Sequence, residues 1–203
     1  MSPRPRKASD DEVFGAAMRV MSRVGPADLT LTEIAHEAGL TAGALVQRFG
    51  SKQQLLRALS SRFAGSSGEE FAALRRAHPS PLAALREYAR CFAQLAESPD
   101  ALARNLAYLQ IDLTDPDLYQ GLLSHAKGTR AQLAALVKAA VAAGELTSAV
   151  RPGRLARLIE VTLNGSMMTW AIYREGTAAK WMLADLDAVL EPYKKCKVQS
   201  AKC

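Results

Sequence analysis

The chain is predicted to fold as an all-α protein: a small N-terminal helical domain followed by a larger helical one, about nine helices in all. Three observations predict it. Alanine and leucine dominate, β-branched residues are sparse, and no alternating polar–apolar run reaches useful length. Helix starts recur as a capping residue before proline, at Ser80-Pro81, Ser98-Pro99 and Asp115-Pro116. Between Leu29 and Leu56, two short helical patterns flank a glycine-containing turn.

Taken in order, Met1 to Ala8 carries Arg4, Arg6 and Lys7 between prolines and reads as a flexible basic arm (1–8), of a kind that either reaches into a minor groove or is simply a solvated tail. Ser9-Asp10-Asp11-Glu12 is a capping box with acids in the first turn. Val13, Ala17, Val20, Met21 and Val24 follow at helical spacing, and Gly25-Pro26 ends that helix. Thr30 and Glu33 form a second capping box. Ile34, Ala35 and Ala38 make one apolar face, Gly39 stops the helix, and Leu40 turns inward. Thr41 caps a helix over Ala42–Phe49, in which Leu45 and Phe49 share the inner face. Ala42, Ala44, Val46, Gln47 and Arg48 are left off that face, and Gly43 permits close backbone approach. Ser51 and Gln54 open the next helix, which runs through Leu59 and Phe63 to Gly65-Ser66-Ser67-Gly68.

Helix, tight turn, helix is the arrangement that lays a second helix in a DNA major groove. The basic arm supports this reading. So does Lys52, a cation in a first helical turn where the dipole disfavours it and a phosphate would suit it. The same pattern also serves plain packing in an all-α protein.

In residue order the segment resembles the N-terminal domain of the tetracycline-repressor (TetR) family of transcriptional regulators. The matching residues are Ala16-Ala17, Gly25, Thr30, Ile34-Ala35, Ala38-Gly39-Leu40-Thr41, Gly43, Leu45, Phe49, Ser51-Lys52 and Leu55-Leu56, about the first third of the chain. The family usually has tyrosine, a DNA-backbone contact, where Val46 stands, and histidine where Arg48 stands; Gln53 replaces a common acid. The resemblance implies a homodimeric regulator, a repressor that binds a palindromic operator in double-stranded DNA. It also implies a helix from Ser51 whose tilt a small-molecule effector changes. Thr30, Thr32, Arg48 and Lys52 are expected on the DNA backbone. Thr41, Ala42, Gly43, Ala44, Val46 and Gln47 complete the interface, with Gln47 suited to adenine and the alanines to thymine methyls. The expected domains are 9–56 for DNA binding, 57–195 for effector binding and dimerisation, and a polar tail over 196–203.

Beyond Glu69 the punctuation gives helices over Pro81–Glu97, Pro99–Ile111, Pro116–Ala143, Pro152–Arg174 and Thr177–Lys194, with a short one near Glu69–Arg76. Apolar residues with a few polar ones among them suggest a cavity for a small, largely apolar effector. Its expected lining is Phe63, Tyr88, Phe92, Asn105, Leu109, Asp112, Tyr119, Leu123 and Met168. The last two helices offer apolar faces for a four-helix bundle between two subunits. Leu158, Thr162, Gly165, Thr169, Ile172, Trp181, Leu186 and Val189 are the expected dimer residues. Leu155, Ile159 and Ser166 belong to the same broad stripe.

Composition narrows the function classes. Of 203 residues 49% are hydrophobic, enough for a sizeable core. A net charge of +6 and a pI near 9.4 suit a polyanionic partner. The three cysteines fit no metal spacing; Cys91, on an apolar helical stretch, is expected to be buried, while Cys196 and Cys203 sit in the tail. No signal peptide or membrane-spanning run is seen, so a cytoplasmic location is expected. His36 lies one turn from Glu33 without further ligands at metal spacing, His78 is in a loop beside Pro79, His125 falls in a helical stretch, and no phosphate loop or nucleophile elbow occurs. No enzyme, cofactor or metal site is therefore expected. The alternatives to a DNA-binding regulator are an all-α protein-binding module and a small-molecule-binding protein without a DNA function.

Overall fold

The computed structural model describes residues 8–195. The basic stretch 1–7 and the tail 196–203, with Cys196 and Cys203, lie outside the described residues. Among the described residues ten α-helices follow one another: α1 (Asp10–Arg23), α2 (Leu31–Glu37), α3 (Ala42–Phe49), α4 (Lys52–Ala64), α5 (Ser67–Ala77), α6 (Pro81–Ala93), α7 (Pro99–Thr114), α8 (Pro116–Ala142), α9 (Pro152–Tyr173) and α10 (Ala178–Leu190). Short 3₁₀ turns, Gln94–Ala96 and Glu191–Tyr193, end α6 and α10 where longer helices were expected. Among the described residues no strand occurs, only one antiparallel bridge between Leu146 and Lys194.

The helices start where their caps dictate. The Ser9/Glu12 and Thr30/Glu33 boxes are both closed in each direction. Thr41, Ser80 and Thr177 accept from the backbone of the third helical residue. Asp115 caps α8 through hydrogen bonds from the Asp117 and Leu118 amides, at 2.9 and 3.3 Å. Gly50, which ends α3, has φ +80°, a conformation that favours glycine.

Two compact units emerge. The first joins the chain through Ala64 to Asp100–Ser124; the second joins Gly65–Pro99 to the chain from His125 on. This grouping departs from the expected sequential split at 56/57: α4, most of α7 and the first turns of α8 belong with the helix-turn-helix.

Specific contacts hold the first unit together. Its core contains Val13, Phe14, Ala17, Val20, Leu29, Ile34, Ala35, Leu45, Leu55, Leu59 and, from α7, Tyr108. The Tyr108 hydroxyl donates to the Val24 carbonyl at 3.1 Å, and burial pushes its pKa up to about 12, so it remains a donor at neutral pH. Arg104 Nε donates to the Ser22 carbonyl at 3.1 Å. Asp115 accepts from Gln53 of α4 at 3.0 Å, and Arg57 of α4 pairs with Asp117 at 3.0 Å. Gly121 brings α8 against α4, since a Cβ there would lie 2.1 Å from Ser60 Oγ and 3.3 Å from its carbonyl oxygen.

In the second unit α9 and α10 pack along each other and α10 also lies on α6. Leu85, Ile159, Leu163, Met182 and Leu186 are fully buried there. Arg86 of α6 donates from Nε and one terminal nitrogen to a single oxygen of Asp187 on α10, at 3.0 and 2.6 Å. Cys91, expected inside, is exposed: it follows Arg90 on the outer side of α6, while Ala89 and Ala93 take the inner positions.

Candidate nucleic-acid interface

Everything about α3 follows from which side is anchored. Leu45 is completely buried, and Phe49 packs half-buried with its ring 5.8 Å from that of Phe14. Burying one leucine side chain contributes about 1.5–3 kcal/mol, a large share of what holds an eight-residue helix in place. At 100° per residue, anchoring Leu45 turns Gly43 and Gln47 outward, flanked by Ala44 and Val46. The exposures agree. Gly43 and Gln47 are exposed, Val46 is 48% exposed, Ala44 is half-buried, and Ala42, nearer the anchored side, is half-buried too.

Around α3 the expected backbone contacts divide. Thr32 is exposed on α2. Thr41 is exposed at the α3 N-terminus, its Oγ1 accepting from the Ala44 amide at 3.2 Å, which leaves the hydroxyl proton to donate. Thr30 is committed to its capping box: Oγ1 accepts from the Glu33 amide and donates to the Glu33 carboxylate, both at 3.2 Å. Arg48 is exposed, yet its guanidinium is bonded within the domain. Its guanidinium donates to the Ala8 carbonyl at 2.6 Å, pairs with Asp10, and lies over the Phe49 ring. At 300° from Leu45, Arg48 leaves α3 beside the α1 N-terminus, where Asp10 provides a charge partner. Lys52 is also turned inward. Its ammonium donates to the carbonyls of Leu29 at 2.9 Å and Pro26 at 3.3 Å, so two of three donors serve the α1–α2 loop.

A second clamp orients α2. Glu37 accepts from Arg19 and Arg23 of α1, both at 2.7 Å. Those hydrogen bonds hold its pKa below the ordinary value. This clamp and the Lys52 brace escaped the sequence reading, because residues so far apart in the chain meet only when α1, α2 and α4 pack.

The expected effector residues are distributed over both units. Phe63, Asn105, Leu109, Asp112, Tyr119 and Leu123 belong to the first; Tyr88, Phe92 and Met168 to the second. Phe63 packs against the helix-turn-helix core. Asp112 is half-buried, and burial with the nearby Asp115 charge raises its pKa, whereas Leu109 and Tyr119 are exposed. Tyr88 and Phe92 stack with centroids 6.0 Å apart, and Phe71 lies 4.9 Å from Tyr88. Burial and the charges of Glu160 and Glu70 raise the Tyr88 pKa. Met168, expected near these rings, is 42% exposed on the outer side of α9.

That outer side of α9 carries an exposed apolar stripe. Leu158, Val161, Gly165, Met168 and Ile172 share one face, and Val161 and Ile172 are 60% and 77% exposed. Thr169 is exposed at the edge of the face and Thr162 is half-buried. Leu155, Ile159 and Ser166 face the core instead. Leu186 is also fully buried within the protomer, and Val189 is half-buried. Trp181 is half-buried, donating to the Glu175 carbonyl at 2.8 Å with its ring over Tyr173. Sequence spacing admitted both faces of α9; packing against α10 decided which was covered. No helix among the described residues is long and apolar enough to cross a membrane, and no group of His, Cys, Asp and Glu among them is arranged to hold a metal ion.

An anchored helix presenting its outer side from a helix-turn-helix, carried by an otherwise all-helical chain, defines the class of helix-turn-helix regulatory proteins. Residues 13–59 match the family model described as bacterial regulatory proteins, tetR family. Over that stretch the chain is similar to the TetR family. Its fold is shared along nearly its whole length. The TetR regulator SCO0520 of Streptomyces coelicolor is 25% identical, with a TM-score of 0.65, covering 92% of this chain and 98% of that one. SmeT, the repressor of the Stenotrophomonas maltophilia multidrug efflux pump SmeDEF, is 22% identical with a TM-score of 0.65, covering 95% and 93%. A TetR regulator of Haloarcula marismortui is 16% identical with a TM-score of 0.70, covering 92% and 98%. A comparison with curated proteins gives no significant match.

Proposed function

We propose that this protein is a sequence-specific DNA-binding transcriptional regulator. It acts in the cytoplasm as a homodimeric repressor and leaves its operator when a small, largely apolar effector binds the helices beyond the DNA-binding domain. One observation carries the reading: α3 is anchored by Leu45 and Phe49 and leaves Gly43, Val46 and Gln47 facing solvent. Gln47 pairs with adenine, and Thr32, Thr41 and the remaining Lys52 donor hold phosphates. Thr30 and Arg48 serve the domain's own structure. The exposed apolar stripe on α9 joins two protomers, which sets two α3 helices in successive major grooves about 34–36 Å apart.

Effector release follows the logic of population shift: a ligand that prefers a second arrangement of the helices draws the dimer out of the operator-matching one. SmeT has been solved in complex with triclosan, which supports a small apolar molecule as the effector class. The test is footprinting on DNA flanking the protein's own gene, followed by Gln47→Ala. The variant is expected to lose discrimination between operator and random DNA. Equal weakening on both would remove Gln47 from base reading.

A further inference from the structure

We infer that Val46 is a specificity-determining residue and that α3 reads its operator through thymine methyl groups; the inference rests on the DNA-binding reading above. The outward pole of α3 carries no charge. Gly43 offers bare backbone, Ala44 one methyl, Val46 two methyls at 48% exposure, and Gln47 one amide. The one cation of α3, Arg48, is held by Ala8 and Asp10 and lies over Phe49. α3 contains no acid.

Set against the major-groove code, this surface is selective by what it lacks. Guanine presents two acceptors best matched by arginine or lysine, and cytosine an amino donor best matched by a carboxylate. No such group stands on the exposed pole. The A·T pair suits what remains: Gln47 can hold adenine N6 and N7, and the C5-methyl of thymine is apolar surface for Val46 and Ala44. Val46 also fits the task mechanically. A β-branched side chain in a helix has essentially one χ1 rotamer, so its methyls are fixed before DNA arrives and little freedom is lost on contact. Nearly half its surface lies open in the protomer, and docking against a thymine methyl would cover it.

Covering one methyl is worth about a fourfold change in affinity, or about fifteenfold over the two half-sites of a palindrome. The experiment uses the full chain. Operators are selected from random duplexes made with thymidine, then remade with deoxyuridine, which pairs identically but lacks the C5-methyl. The expected result is a loss of about fifteenfold on uracil substitution. Val46→Ala, at an exposed site that leaves the core intact, should shrink that thymine-to-uracil ratio toward one. Equal binding to both duplexes would overturn the inference while leaving DNA recognition in place. An unchanged ratio in Val46→Ala would overturn it too, by tracing the methyl effect to DNA shape rather than to this side chain. Failure to select any sequence above random DNA would overturn both this inference and the function it rests on.

Discussion

Lys52 separates two kinds of role, and replacing it with methionine tests which one dominates. Methionine keeps most of the stem and removes the ammonium. In the wild type that group bonds the Leu29 and Pro26 carbonyls at 2.9 and 3.3 Å across the α1–α2 loop. A hydrogen bond to a charged group contributes about 1.5–3 kcal/mol. The longer bond counts for less, and the partly open site lets water replace some of each, so about 2 kcal/mol is a reasonable total. For a chain of this size each kcal/mol moves the melting temperature by about 2–4 °C, which predicts a drop of about 4–8 °C. Thermal unfolding followed by circular dichroism measures it. The salt dependence of DNA binding is measured beside it, where loss of a phosphate contact lowers the slope by about one unit. A melting temperature unchanged within about 1 °C, together with a slope reduced by one, would refute the brace. Lys52 would then be a phosphate contact first.

Further expectations follow from other contacts. Asp115→Ala removes both the α8 cap and the grip on Gln53 and Arg57, whereas Asp115→Asn keeps a capping oxygen. The alanine variant should melt lower than the asparagine variant, and equal melting would show that the cap contributes nothing. The Glu37 carboxyl has a pKa lowered by Arg19 and Arg23. Its clamp therefore adds stability above the ordinary value of 4.5, lost as pH falls through the lowered one. Urea unfolding at successively lower pH should show a shallower acid decline in Glu37→Gln than in wild type; identical profiles would dismiss the clamp. Val161→Glu places a charge at the middle of the α9 stripe, on a side chain 60% exposed in the protomer. It should convert a dimer to a folded monomer by sedimentation, and an intact dimer would move the interface elsewhere.

Local chemistry was legible along the chain. Caps, prolines and glycines are short-range signals, so the boundaries of α1 to α3 and the starts of α6 to α10 follow from neighbours a few residues apart. The anchoring of α3 was legible for the same reason, since Leu45 and Phe49 define one face by spacing alone. The two 3₁₀ endings were not, because an apolar pattern continues through them.

The residues alone dictated an all-helical chain, a helix-turn-helix and an outward Gln47, because helix periodicity and capping act within a few residues. Packing alone decided that Arg48 and Lys52 bend back onto the α1 N-terminus and the α1–α2 loop. It also decided that Cys91 and Met168 face outward, that Leu186 faces inward, and that α7 joins the first unit. A cation finds its carbonyl or carboxylate, and a helix its covered side, only when segments distant in sequence come together. No spacing along the chain encodes that meeting.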